Sequence, residues 1–176
     1  MSEPTKLDLG CGTRKQPGFH GVDAIEFVGV DQVVDLRQPW PWADGSIEEV
    51  YSSHFVEHLT NRERVHFFNE LYRVLKDKGT ARIIVPHWAN HCAYGDPTHQ
   101  WPPFSEWAAL YWDAQWRAGN APHVDYTCDF VTQIAQSFDE RIFPFSDERK
   151  QYMLAHNLNS ARDLFFTLTK RTPEAP

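Results

Sequence analysis

The chemistry this chain could carry falls into two sets of residues. In the first, Leu7-Asp8-Leu9-Gly10-Cys11-Gly12-Thr13 runs a short apolar stretch straight into two glycines one residue apart, and Asp23 and Asp35 end later apolar segments. Such glycines let the backbone turn sharply and let a ligand come close without meeting a Cβ. The carboxylates can accept hydrogen bonds from hydroxyls or amines. The second set is imidazole: His54, His58, His87, His91 and His99, with Asp96 three residues before His99. Imidazole takes and returns protons near neutral pH. Together the sets offer a cradle for a small ligand and groups that move protons beside it.

The elements that must position them follow from periodicity. Lys6–Leu9, Phe19–Asp23 and Gln32–Leu36 read as three strands, with Asp23 and Asp35 at the ends of the second and third. Only six residues, 13–18, separate Gly12 from Phe19, whereas a parallel crossover takes about a dozen or more. The first crossover is thus expected as a loop rather than a helix. Residues 37–46 form a turn-rich connector in which Trp40 and Trp42 either cover the sheet or stack on a flat ligand, and Ile47–Ser53 is the fourth strand.

Thr60-x-x-Glu63 is a capping box. Val65, Phe68, Leu71, Tyr72 and Leu75 recur behind it at helical spacing, with Phe67 and Val74 widening the stripe. Gly79 is expected to supply the left-handed stop, and Thr80–Val85 the fifth strand. A long loop rich in His and Trp spans 87–103, and such loops are disproportionately functional. A helix capped by Ser105 through Arg117 follows. Beyond it the expectation is a strand around Tyr126–Ile134, a second strand or extension over Phe138–Phe143, a helix after Ser146 and a last strand Asp163–Thr169. Residues 1–171 make one domain, with 86–120 as an insertion that caps the substrate and 172–176 as a disordered tail.

Composition narrows the class. At 176 residues and 41% hydrophobic content the chain can build one core. No apolar run approaches the roughly 18 residues needed to span a bilayer, and the first residues lack the basic-then-apolar order of a secretory signal. This reading places the protein in the cytoplasm. Cys11, Cys92 and Cys128 are far apart and form no Cys-x-x-Cys pair, which argues against a disulfide framework. A formal net charge of −7 without a long basic run argues against duplex nucleic acid as a partner.

Strands alternating with helical or trimmed connections imply an open, mainly parallel α/β sheet, with its ligands beyond the carboxyl ends of the strands. Lined up there, the chain resembles the class I S-adenosylmethionine-dependent methyltransferases. The resemblance rests on Leu7-Asp8-Leu9-Gly10-Cys11-Gly12, Asp23, Asp35-Leu36, Pro41-Trp42-x-Asp44-Gly45-Ser46, Ser53-His54-x-x-Glu57-His58 and Glu70-Leu71-x-Arg73-Val74-Leu75-Lys76-x-x-Gly79, in order over residues 5–86. Asp96-Pro97-Thr98-His99 is similar to a compact bacterial and phage branch of predicted methyltransferases.

The resemblance implies a Rossmann-like, mostly parallel seven-stranded sheet with shortened first crossovers and an insertion after strand five. It implies S-adenosylmethionine as cofactor, released as S-adenosylhomocysteine. Asp8, Gly10, Cys11 and Gly12 would shape the pocket for its methionine part, Asp23 would hold the ribose, Asp35 and Leu36 would flank adenine, and Ser53 and His54 would line the floor. A third glycine is absent, and a dinucleotide-binding Gly-x-Gly-x-x-Gly would need glycine at Lys15.

Transfer from a sulfonium to an O or N atom of a small acceptor then needs placement and a base. The expected proton-handling residues are His99 and Asp96, then His87 and His58, with Trp88, Tyr94, Trp101 and Trp107 suited to a ring-shaped acceptor. His54-x-x-Glu57-His58 also spells an inverted zincin motif, but it follows a strand where that motif needs a helix. Some ubiquinone-pathway O-methyltransferases look similar here, which would let Glu57 and His58 hold a cation; no metal ligand set is assigned from the sequence. The alternatives are a nucleic acid methyltransferase and a binding module that keeps the cofactor without transfer. The Asn/Asp-Pro-Pro-Tyr-like and Pro-Cys motifs of the nucleic acid enzymes are missing.

Overall fold

A computed structural model describes residues 4–172. Seven strands form one sheet: β1 (Lys6–Leu9), β2 (His20–Asp23), β3 (Gln32–Val33), β4 (Ile47–Ser53), β5 (Leu75–Pro86), β6 (Phe130–Phe138) and β7 (Ala161–Lys170). Their order is β3-β2-β1-β4-β5-β7-β6. β1 to β5 pair in parallel, while β7 runs antiparallel to both β5 and β6. The order reverses between β1 and β4, which is where an open α/β sheet leaves a crevice for a ligand.

The expected loop crossover is present. Residues 10–19 join β1 to β2 without a helix, and 24–31 join β2 to β3 in the same way. Asp31 stands in for the missing helix at this edge, its Oδ2 accepting from the Gly21 amide and from Lys15 Nζ, both at 2.7 Å.

Helix α1 (Asn61–Val74) carries the sheet's central packing. Thr60 caps it with both reciprocal bonds of the capping box, and Phe67, Phe68, Leu71 and Val74 are buried against Leu9, Val50 and Ile83 in one apolar cluster. Trp40 and Trp42 do cover the core, and Arg73 clamps their connector to α1. Its guanidinium donates to the carbonyls of Trp40 and Trp42 and to the carboxylates of Glu70 and Asp44.

Four expectations are corrected. α1 stops at Val74, because Leu75 is already paired with Ile47 in the sheet, and the left-handed residue is Lys78 (φ 61°) rather than Gly79. Gly79 is needed for close approach instead, since a Cβ there would lie 2.8 Å from the Lys76 carbonyl oxygen. β3 ends at Val33, leaving Asp35 and Leu36 beyond the strand. The helix expected from Ser105 to Arg117 is a 3-10 turn over Glu106–Trp112 followed by α3 (Ala114–Asn120); Asp113 breaks the run by capping α3 through the Trp116 amide. Phe138–Phe143 continues β6 by one residue only, and Glu140–Ile142 then turns because Asp139 accepts from the Arg141 amide.

Between β5 and β6 the loop rich in His and Trp holds one short helical turn, α2 (Cys92–Gly95). Helix α4 (Asp147–His156) follows its Ser146 cap as expected. Of the expected tail, residues 173–176 lie outside the described residues. No helix among the described residues is long and apolar enough to cross a membrane.

Candidate functional site: two clefts that share His54

At the point where the strand order reverses, a cleft of about 530 Å³ opens over the carboxyl ends of β1 and β4. Asp8, Gly10, Cys11, Gly12, Ser53 and His54 line it, joined by Thr13, Arg14, Gln16 and Tyr51. Gly10 and Gly12 adopt φ 73° and 51°, the left-handed region that glycine enters freely. Gly10 also has no space for a side chain, since a Cβ would sit 2.3 Å from the Phe55 ring. A Cβ at Gly12 would meet nothing within 4 Å and would project into open space.

Asp8 is 2% exposed, and burial raises its carboxyl above the usual range even though the Gln16 amide donates to it at 2.6 Å. Burial also pushes the Cys11 thiol up to about 11, which leaves it protonated and inert. Asp23 sits at the rim. Oδ2 accepts from the Gly12 amide at 2.9 Å and Oδ1 from the Ile25 amide at 3.0 Å. A carboxylate oxygen has two acceptor directions, so each keeps one for a further donor.

The structure sets Asp35 and Leu36 apart from this lining. Asp35 is half-buried and engaged by Arg37 through Nε and Nη2, while Leu36 is packed in the core.

A second cleft of about 590 Å³ adjoins the first and shares His54 with it. Glu57, His58, His91, Asp96, His99 and Asp163 are among its lining residues. His54 has φ 55°, and its imidazole lies 3.2 Å from Glu57 Oε1 and 3.9 Å from Asp163 Oδ1. The hydrogen bond to Glu57 is the chief reason its pKa is raised.

Distant segments meet here through backbone carbonyls. The buried Arg64 of α1 donates to the carbonyls of Glu57, Gln100 and Pro102 and stacks 4.4 Å over Phe104, while the Gln100 amide donates to Glu57 O at 2.9 Å. His99 is thereby held beside His58, with ring centroids 4.7 Å apart.

Of the four residues expected to handle protons, the structure brings His58, Asp96 and His99 together and sets His87 elsewhere. His87 is buried and lines a different cavity, its Nδ1 accepting from the Ala89 amide and its Nε2 meeting Glu106 Oε1 at 3.2 Å.

Sequence reasoning missed Gln16, Tyr51, Thr98 and Asp163. Tyr51 was reachable, since it alternates with Ser53 on one face of β4. Asp163 was not, because only the antiparallel pairing of β7 with β5 carries its start to the carboxyl end of β5.

Residues 17–83 match the family described as Methyltransferase domain. Among solved structures, a SAM-dependent methyltransferase from Archaeoglobus fulgidus is similar, with a TM-score of 0.68 at 20% identity over 94% of this chain and 85% of that one. The Haloferax volcanii complex between the Trm112 methyltransferase activator and a methyltransferase aligns with a TM-score of 0.56 at 16% identity, covering 96% and 83%. The YcgJ protein from Bacillus subtilis gives 0.56 at 17% identity, covering 97% and 93%. No curated protein sequence matches the chain. At such identities the structural likeness speaks for the fold, and the domain match covers less than half of the chain. Together with the strand order, they show the Rossmann-like α/β sheet fold of the class I methyltransferases.

Proposed function

We propose that this chain transfers the methyl group of S-adenosylmethionine to an O or N atom of a small-molecule acceptor, such as a sugar or a nucleotide-linked metabolite. The observation that carries the reading is the pair of clefts meeting at His54: one is lined by glycines and a buried carboxylate, the other by imidazoles.

In the first cleft the residues fit the cofactor. Gly10 and Gly12 admit its backbone-like methionine part, Asp8 faces an ammonium that relieves its buried charge, and Arg14 suits a carboxylate. The remaining acceptor directions of Asp23 take the ribose hydroxyls. An adenine extending past Asp23, beyond the lining of this cleft, would meet Asp35 and Leu36, the latter by its backbone. Ser53 and His54 form the floor. Bound there, the cofactor supplies an electrophilic methyl on a sulfonium that is already a good leaving group.

In the second cleft, which residues 86–120 cap, the acceptor's proton passes to an imidazole lone pair of His99 or His58. Asp96 acts through Thr98, whose hydroxyl donates to Asp96 Oδ1 at 2.6 Å and meets His58 Nδ1 at 2.8 Å. With the cofactor held in the first cleft, the acceptor atom would take its methyl and the electron pair of the S–C bond would stay on sulfur. Placing the nucleophile in line supplies most of the acceleration. Three free thiols suit a reducing, cytoplasmic setting.

Calorimetric titration with S-adenosylmethionine and S-adenosylhomocysteine, followed by tritiated methyl transfer into fractionated metabolite, glycan and nucleic acid pools, tests this reading. Binding of both compounds with label in a small-molecule pool supports it. No binding, or label in nucleic acid alone, overturns it.

A further inference from the structure

Glu57 is 4% exposed, yet only one of its carboxylate oxygens has a partner. Oε1 meets His54 Nδ1, while Oε2 is buried with none. Leaving a buried acceptor unpaired is costly, so such an atom marks an interaction still to be made. Beside it, one ring nitrogen each of His58 and His99 and one carboxylate oxygen of Glu57 all lie within 4.8 Å of one another. Ligand atoms about 2.0–2.2 Å from a shared tetrahedral ion lie about 3.3–3.6 Å from one another, so side-chain movement of up to about 1 Å per ligand closes the set.

The surrounding bonds settle which nitrogens carry lone pairs. The single hydroxyl proton of Thr98 goes to the Asp96 carboxylate, which has none to give, so Thr98 Oγ1 accepts from His58 Nδ1–H. His99 Nδ1 faces the Ala93 carbonyl oxygen at 3.4 Å and likewise carries the proton. In the neutral imidazole both histidines therefore carry their lone pair on Nε2, each with its other nitrogen tied to an acceptor. This is the outer-shell arrangement that orients metal-ligating imidazoles.

We propose that Glu57, His58 and His99 bind one divalent transition-metal ion of the zinc class. Two imidazoles and one carboxylate favour such an ion over magnesium or calcium, which prefer all-oxygen shells. Three protein ligands leave at least one coordination position open to the cleft. The site goes beyond the methyl-transfer reading and stands without it. If both hold, the ion takes up the lone pairs assigned above to the acceptor's proton, and instead binds the acceptor oxygen and acidifies it so that the proton leaves to water.

The test uses the full chain, stripped with a chelator and titrated with Zn²⁺ against a chromophoric competitor, and with Co²⁺ to read its visible bands. One equivalent bound with a submicromolar Kd is expected. Glu57→Gln and His99→Ala should each weaken binding by about 100-fold or more, and Thr98→Val by about 10- to 100-fold. An unchanged urea denaturation midpoint reports an intact fold in the variants; should Glu57→Gln lose it, His99→Ala decides. Absence of stoichiometric binding, or Zn²⁺ affinity that survives both substitutions and disappears in Cys92→Ser, overturns the site. Metal binding without cofactor binding would sink the methyltransferase reading and leave the metal site standing.

Discussion

The Gly12 amide donates to Asp23 Oδ2 at 2.9 Å, so the glycine turn after β1 and the acid ending β2 form one hydrogen-bonded unit at the rim of the first cleft. Because the β1–β2 crossover lacks a helix, this bond and the one from Ile25 hold the carboxylate in place. Asp23→Ala is expected to weaken S-adenosylmethionine binding by about 10- to 100-fold, the loss of one or two hydrogen bonds to a charged group. Calorimetry measures it, and an unchanged affinity would remove the ribose assignment.

Gly10 faces two constraints at once, a φ of 73° and the Phe55 ring where a Cβ would go. Gly10→Ala should cost about 2–4 kcal/mol through backbone strain and overpacking. Urea denaturation would show the midpoint falling, and cofactor affinity should fall with it because the ring must move into the cleft's wall. A stable Gly10→Ala variant would mean that the turn can be rebuilt without glycine.

The raised carboxyl of Asp8 makes a pH prediction whose sign follows from burial, the largest cause of the shift. A carboxyl with its folded value above the unfolded one contributes fully to stability below the unfolded value of about 3.9 and loses that contribution as pH rises through the folded value. Asp8→Asn keeps an acceptor for the Gln16 amide and removes the buried charge. It should therefore gain stability relative to wild type as pH goes from about 4 to 7. Urea midpoints of both proteins across that range check this; a difference that stays flat or falls contradicts it.

Arg64→Met preserves the apolar stem and deletes the donors that bind three carbonyls from two separate segments. A loss of about 2–4 kcal/mol is expected, in the range for breaking a buried charged network. Limited proteolysis should find new cleavage between residues 87 and 103. Protection of that loop at the wild-type level would show that its other contacts suffice.

Thr98→Val leaves His58 Nδ1 without its acceptor. Turnover should fall by about 10-fold, a fraction of the 10²–10⁴ that a proton-transfer group supplies, while the dissociation constant for S-adenosylmethionine stays the same. Thr98→Ser should restore it. Equal losses in Val and Ser variants would point to packing rather than to the hydroxyl.

Local rules made much of this molecule legible from its residues. β1 and β4 end where the apolar patterns end, the Thr60-Glu63 capping box starts α1, and Gly10-Cys11-Gly12 makes the turn over the cleft, because each depends on neighbours a few positions away. Residues whose placement depends on a distant partner were not legible. Leu75 leaves α1 for the sheet because Ile47 pairs with it, and Leu36 turns into the core once β3 stops at Val33. His87 and His99 look equivalent as imidazoles beyond a strand, yet the Ala89 amide and Glu106 hold the first away from the second cleft while the Arg64 carbonyl network draws the second beside His58. The chain's order of residue types thus determined a glycine turn flanked by carboxylates and a stock of imidazoles. Tertiary structure alone decided which imidazoles share a cleft with Glu57, because hydrogen bonds across dozens of residues, rather than sequence spacing, set those distances.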